Sequence, residues 1–348
     1  MADILYDVSA QIRAIEKMEP VHTFLYDTFV HNEGSVLAED ARFDYMKGGV
    51  MMAPFVVPGS GGKEMERDTF DTRAITFPTI APERTLDYMQ YATQRMYNEP
   101  ITGSMSPEER QRRLLAKDIA YLRQSIQLRR EWMAAQVLFT GKLDILEYLE
   151  GGQVVKATKA ADYQFTNNYT SDETWDDPDA DIYEDITQMC DMVTEGQGTP
   201  QIMVFGTDVR SCIFRDKNLR DMLDVRNAYF GMIRPGKMQN ALQYIGTLST
   251  GLELYCYTGG YREKKGVPMK TFIPAGKVLI GSSKMLRCIH GPVAQVEKEG
   301  ENPKVYAKEE VPFRYSKAGG TSVQQRLTSR PMILPNNVDG WAVGTVLD

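Results

Sequence analysis

Several short runs in this 348-residue chain carry the residue types that hold cations, phosphates or nucleotides, and each fails where its chemistry is most demanding. Asp177-x-Asp179-x-Asp181 opens like a calcium loop. Such a loop needs glycine at its sixth position, where the chain bends sharply, and a bidentate glutamate at its twelfth. Those positions hold Ile182 and Gln188. Pro58-Gly59-Ser60-Gly61-Gly62-Lys63 has the glycines and lysine of a phosphate loop, whose backbone N–H groups cradle phosphate oxygens. That pattern needs glycine where Val57 stands and a hydroxyl residue where Glu64 stands. Gly59 and Gly61 also begin a G-x-G-x-x-G fingerprint, which ends on Glu64 instead of glycine. The histidines are His22, His31 and His290, and none stands at i, i+4 from another histidine or a cysteine, so zinc has no support. No G-x-S-x-G elbow occurs. Cys190, Cys212, Cys256 and Cys288 have no C-x-x-C spacing and read as reduced, mostly buried thiols of a cytosolic protein, with a disulfide left open. Carboxylates are numerous, but no local feature selects two of them as an acid–base pair. The residue types point to no catalytic group, cofactor or metal.

Composition narrows the field further. Hydrophobic residues make up 42% of the chain and charged residues 25%, enough for a sizeable core. The net charge is −7 and the isoelectric point about 5.3. That argues against holding nucleic acid on a clustered basic surface. No apolar run reaches the roughly 18 residues that cross a bilayer. The opening Met1-Ala2-Asp3-Ile4-Leu5-Tyr6-Asp7 is acidic and lacks the basic start and apolar stretch of a secretory signal.

The elements themselves are unusual in proportion. Leu5, Val8, Ile12 and Ile15 form one apolar stripe at helical spacing. Past Pro20 the chain turns irregular and aromatic (Phe24, Leu25, Tyr26, Phe29). This reads as an N-terminal arm, or equally as a helix packed on its own domain. Residues 50–57 and 69–77 read as strands. Between them Gly59, Gly61 and Gly62 fall within four positions, where the backbone takes positive φ freely. The simplest shape is a long two-stranded ribbon with a glycine-rich tip. A lone ribbon is marginal in water, so it must lie on its own domain or on the next subunit.

One long helix follows. Ser106 is its N-cap, Pro107 its first position, and Glu109 completes a capping box. Leu115, Ile119, Leu122, Ile126, Met133 and Val137 keep an apolar rhythm, broken by Arg129 and Arg130, and Gly141 is the stop after about Thr140. Roughly 34 residues at about 1.5 Å each make a rod of about 50 Å. The opposite face carries Arg110, Arg112, Arg113, Lys117, Arg123, Arg129 and Arg130. It reads as a solvated face or as an ion-pairing surface, with Arg110, Arg113, Lys117 and Arg123 the candidates for contact with a neighbour. A ribbon that cannot bury itself and a helix too long for a small core both call for copies of the same chain.

From Ala160 to Val209 there is no lysine or arginine, while twelve acids fall in the stretch, leaving the rest of the chain at +5. A split of this size can steer subunits into register, or it can be a solvated acidic surface. Beyond Gln201 the texture becomes short strands with turns: 201–205, 252–257, 277–280 and 285–289, with Gly259-Gly260 as a hairpin signal. Residues 326–347 are strand-like, broken at Pro335-Asn336-Asn337 and Asp339-Gly340. The nineteen methionines include Met46, Met51 and Met52 near the ribbon's base, a residue type suited to packing in more than one geometry.

This order of elements resembles the major capsid proteins of tailed bacteriophages, and within them the lambda-type E family. The resemblance is carried by Phe55-Val56-Val57-Pro58-Gly59-Ser60-Gly61-Gly62, by Val137-Leu138-Phe139-Thr140-Gly141-Lys142, and by Ile202-Met203-Val204-Phe205 with Phe214-Arg215. It continues in Tyr257-Thr258-Gly259-Gly260-Tyr261 through Val278-Leu279-Ile280-Gly281 and in Arg330-Pro331-Met332-Ile333-Leu334. No single segment is specific; their order and spacing over nearly the full length are. The resemblance implies an α+β fold divided into an N-terminal arm (1–48), an extended loop (49–84), a peripheral domain with the spine helix (85–180), an axial domain (181–299) and C-terminal strands returning to the peripheral domain (300–348).

It further implies a structural subunit, not an enzyme, that joins copies of itself in hexamers and pentamers of an icosahedral head around double-stranded DNA. Contact with the DNA is then weak and non-specific, and no membrane is involved. The tip residues Pro58, Gly59, Ser60, Gly61, Gly62, Lys63 and Glu64 would meet the neighbouring subunit. Lys63 matches a crosslinking lysine of some relatives by position alone, and lambda-type heads are held without that chemistry. Scaffolding and portal proteins, and a decoration protein, are the implied partners. An arm that starts close to Met1 points to a scaffold made as a separate protein. Assembly would take place in the host cytoplasm and the product would be the virion. The alternative is an encapsulin-type bacterial nanocompartment, with the same fold around an enzyme.

Overall fold

The computed structural model describes residues 12, 15, 23–46, 70–87, 107–148, 154–216, 219, 241–264, 266–296, 302–316 and 322–347. Helices α1 (Phe24–Phe29), α2 (Pro107–Thr140), α3 (Ile182–Glu195) and α4 (Thr207–Arg215) surround a central mixed sheet. Its six strands run in the order Asn168–Thr170, Ala342–Thr345, Lys277–Gly281, Ile202–Phe205, Glu253–Tyr257 and Leu242–Thr247. The runs Ile202-Met203-Val204-Phe205 and Val278-Leu279-Ile280 are apolar at every position, which suits strands covered on both faces. Met203, Phe205, Val278 and Ile280 enter a core shared with α3 and α4. Ile202, Val204 and Leu279 point the other way, into a core that takes α1 and the C-terminal part of α2.

The long helix starts and stops where the sequence places it, at Pro107 and Thr140. Gly141 has φ +63°, and its N–H donates to the Val137 carbonyl at 2.9 Å. A Cβ there would strike Phe165, so this left-handed C-terminal stop requires glycine twice over. The Trp341 indole N–H donates to the Leu138 carbonyl at 2.9 Å, and so satisfies a last-turn oxygen that has no partner within the helix. Further toward its N-terminus, Ile119, Leu122 and Ile126 pack with Leu327 and Ile15. Leu327 belongs to a three-stranded antiparallel sheet of Val311–Ser316, Ser322–Thr328 and Glu83–Asp87. A second three-stranded sheet sets Val30–Ser35 parallel to Leu286–His290, with Pro331–Pro335 antiparallel on the far side.

The ribbon is present at its base, in a different pairing from the expected one. Asp40–Met46 pairs antiparallel with Phe70–Thr76, from Asp40↔Thr76 to Met46↔Phe70 without a break. The second strand is the expected one, but its partner begins at Asp40 and not at Val50. Asp40, Arg42 and Asp44 alternate with Ala41, Phe43 and Tyr45, a period of two that identifies a strand. Residues 47–69, with the 50–57 strand and the tip from Pro58 to Glu64, lie outside the described residues. Gly259-Gly260 is not a tight two-residue turn: Gly260–Tyr261 pairs with Lys270–Thr271, so residues 262–269 make the connection. The central sheet also takes strands from 168–170 and 342–345, both outside the 181–299 span expected for one domain. Trp341, Ala342 and Val343 are buried, and burying them draws the C-terminal strand into the middle of that sheet.

Candidate functional site

The sequence offers two assembly surfaces, the ribbon tip and the basic face of α2. The tip lies outside the described residues, as do the side chains of Arg110 and Arg112. The remaining cations of α2 sort by depth. Arg113 and Lys117 are exposed. Arg129 is exposed too, its guanidinium over the Trp132 ring at 4.8 Å. Arg123 is turned inward: its Nε lies 3.2 Å from Glu310 Oε2, and its Nη1 donates to the Ile15 carbonyl at 3.1 Å. Arg130 is 1% exposed, which corrects its placement on an open face. Its Nη2 donates to Ser329 Oγ at 3.0 Å and lies 3.5 Å from Glu310 Oε1. Arg123 and Arg130 stand two turns apart, so both reach Glu310 from one side of the helix. Burial pushes the Glu310 carboxyl up, against the pull of Arg130 and then Arg123. Arg130 lies on the side of the helix packed against Ser329 and Glu310, away from the exposed side that holds Arg129.

The neighbouring Glu131 is buried completely. Its Oε1 accepts the Leu25 N–H at 2.9 Å and the Tyr257 hydroxyl at 2.9 Å, and its Oε2 accepts the Tyr26 N–H at 2.7 Å. Leu25 and Tyr26 lie in the first turn of α1, where backbone N–H groups have no partner within the helix. Thr23, at the N-cap, makes no side-chain cap bond. A residue of α2, 106 positions from Leu25, does the capping instead. Burial raises the Glu131 carboxyl above the ordinary carboxylate range, although the bonds from Tyr26, Leu25 and Tyr257 pull the other way.

His290 completes this buried polar layer. Its Nδ1 lies 3.3 Å from the Gly34 carbonyl. Burial first, then Arg130, hold its pKa down at about 4. The unfolded chain therefore binds more protons between about pH 6.5 and 4, and stability falls as pH drops through that window, by up to about 3 kcal/mol. Glu131 and Glu310, raised by burial, act in the opposite sense. Urea unfolding of wild type and His290→Asn at pH 7 and pH 4.5 isolates the histidine: the variant is expected to lose less on acidification.

Acidic residues of the 160–209 stretch divide the same way. Asp185 accepts from the Tyr169 hydroxyl, the Ser171 hydroxyl and the Trp175 indole, each at 2.6 Å. Asp181 caps α3 by accepting the Glu184 N–H at 3.1 Å. Asp172, Glu173, Asp176, Asp177, Asp179, Asp191 and Glu195 are exposed. Among the described residues no group of three ligand types could hold a metal ion, and no helix is long and apolar enough to cross a membrane. All four cysteines are free, three of them buried and Cys190 half-buried. A cleft of about 340 Å³ lies between Ile12, Ile15, Arg123 and Glu309-Glu310. Arg123 and Glu310 in its wall are engaged with each other and pair no nucleophile with a base.

The chain matches the family described as phage major capsid protein E over residues 7–346. No curated protein matches it. Among solved structures, a protein assigned as a prophage capsid protein of E. coli CFT073 superposes with a TM-score of 0.62 at 18% identity, over 80% of this chain and 79% of that one. A phage-related protein of Bordetella bronchiseptica RB50 superposes at 0.50 with 9% identity, over 97% and 95%. At such identities the likeness shows the fold alone, the α+β fold of tailed-phage capsid subunits. With nearly its whole length matched, the chain belongs to the phage major capsid protein E family and is a structural shell subunit of the virion.

Proposed function

We propose that this subunit builds hexamers and pentamers of an icosahedral head around double-stranded DNA, with its ribbon lying on a neighbouring subunit. The ribbon carries the reading. Asp40–Met46 and Phe70–Thr76 pair with each other and with no third strand among the described residues. Two strands alone are marginal in water, and their open edges invite a partner. The tip from Pro58 to Glu64 then supplies the far end of that contact. Helix α2 serves as the rigid spine, and Arg113 and Lys117, with Arg110, face a neighbour's acids. Arg123, engaged with Glu310, borders that surface. A net charge of −7 leaves DNA contact weak and non-specific. Assembly in the host cytoplasm with a scaffolding protein, a portal and a decoration protein fits the family, and no catalytic step is required.

Deleting Pro58 to Asp68 tests this. The variant is expected to keep the circular dichroism of the folded subunit and to lose closed shells in sedimentation velocity and negative-stain microscopy. Wild-type shells from the deletion would overturn the ribbon's role. The contents of wild-type shells separate a DNA-filled head from an enzyme-filled nanocompartment.

A further inference from the structure

The central sheet carries projections of opposite charge, rooted in the cores on its two faces. On one side, the segment after Asn168–Thr170 is anchored by Trp175, buried in the core of α3 and α4. The Trp175 backbone N–H donates to the Val346 carbonyl at 2.9 Å. Around this anchor Asp172, Glu173, Asp176, Asp177 and Asp179 are exposed. Among the described residues none of them has a cation within ion-pair distance. Arg215 Nη1 reaches only the Asp176 backbone carbonyl, at 3.4 Å. Phe214, the residue before Arg215 in α4, is 45% exposed.

On the other side stands the hairpin of Gly260–Tyr261 and Lys270–Thr271. Its root is the other core: the Tyr261 hydroxyl accepts the Trp132 indole N–H at 3.2 Å, and the Tyr261 and Phe272 rings lie 5.4 Å apart. Beyond the root, Arg262, Lys264, Val267 and Met269 are all exposed, Met269 at 54%. Glu263 pairs with Lys270 at 2.9 Å and stiffens the hairpin. Arg262 and Lys264 have no anion within ion-pair distance among the described residues.

We infer that residues 262–269 of one copy dock on the 172–179 segment of the next copy, head to tail. The inference rests on the shell-subunit reading and names a contact within it. Arg262 and Lys264 meet the acids, while Val267 and Met269 meet Phe214. Two projections rooted in different cores do not meet within one chain, and a second copy offers each the surface it lacks. A contact between two different patches of the same chain is heterologous, the type that closes rings. Complementary charge sets its register and speeds the encounter, and salt weakens it.

Charge reversal tests this. Arg262→Glu with Lys264→Glu makes both patches acidic; Glu173→Lys with Asp176→Lys takes the hairpin's target from a net charge of −5 to −1 and sets two lysines beside Trp175, where the hairpin's cations would land. None of these four side chains makes a hydrogen bond or ion pair among the described residues, so both variants are expected to melt like the wild-type subunit. Each alone is expected to lose shells by on the order of tenfold or more through like-charge contact. One chain with all four substitutions is expected to regain them. A mixture of the two variants alternates correctly around a six-membered ring and cannot alternate around a five-membered one. It is expected to give hexagonal sheets or tubes without closed shells. Wild-type shell yield from either variant alone, or no recovery with all four substitutions, would overturn the inference. If the wild type formed no shells, the shell reading itself would fail, and sedimentation velocity of the mixture would still decide this contact: pairing only in the mixture supports it, and no pairing overturns it.

Discussion

Glu131→Ala is expected to destabilise the subunit by about 3–5 kcal/mol, because it strands the Leu25 and Tyr26 N–H groups and the Tyr257 hydroxyl in the core at roughly 1–3 kcal/mol for each group left without a partner. Urea unfolding at pH 7 reads it. Glu131→Gln separates capping from volume. The amide keeps the shape but offers one accepting oxygen, and its NH₂ faces a donor, so about 2 kcal/mol is expected to be lost. A neutral Glu131→Gln would mean that the two carboxylate oxygens do not hold α1. The sign of the pH dependence follows from the raised carboxyl. The fold favours the protonated form, so the part of stability owed to titration is present in full below the ordinary carboxylate range. It is lost as pH rises through the raised folded value. The wild type's margin over Glu131→Gln is therefore expected to shrink as pH rises.

Arg130→Met is the second large effect, again about 3–5 kcal/mol, because removing one partner of a buried pair leaves the other's charge uncompensated. Glu310, with a side chain 5% exposed, would keep Arg123 alone. Its carboxyl would move further up, and the variant would lose stability more steeply with rising pH than the wild type does. Arg130→Met combined with Glu310→Leu is expected to recover most of the loss, since apolar groups of similar size often replace buried ion pairs without net cost. Ser329 would not be stranded, because its hydroxyl already donates to the Glu309 carbonyl at 2.6 Å. A double variant no more stable than Arg130→Met would show that the cluster's geometry, not its charge balance, is what the fold needs.

Local chemistry made the long helix and the central strands legible in the sequence. Pro107 and Gly141 are start and stop residues for reasons that need no tertiary context, and the apolar runs at 202–205 and 278–280 announce strands covered on both faces. The polar layer was not legible. Arg130 appears in the sequence only as part of the Arg129-Arg130 interruption of an apolar rhythm, and Glu131 beside it carries no signal of its own. Whether such residues face water or neutralise one another depends on Glu310, Leu25 and Tyr26, more than 100 residues away. The first strand of the ribbon was missed although Asp40 to Met46 alternates, because the glycine-rich tip drew its partner to the apolar residues beside it. Charge separation in 160–209 was visible, but its exposed part became distinct from Asp181 and Asp185 only once those two were seen capping α3 and holding Trp175.

The place of Ala342–Thr345 bears on how the chain is made. This strand sits inside the central sheet, between Asn168–Thr170 and Lys277–Gly281. During synthesis at about 5–20 residues per second, the neighbours on both sides of that gap exist for several seconds before it can be filled. The Val30–Ser35 strand waits longer still, since its parallel partner Leu286–His290 is more than 250 residues downstream. Pairings this remote in sequence pay their loop entropy before they return any contact. A nascent subunit therefore holds an undocked N-terminal strand until translation has passed residue 290, and an open sheet until it has passed residue 345. Subunits are expected to become competent to join a shell only once residue 345 has been made, which would keep partly made chains out of the polymer.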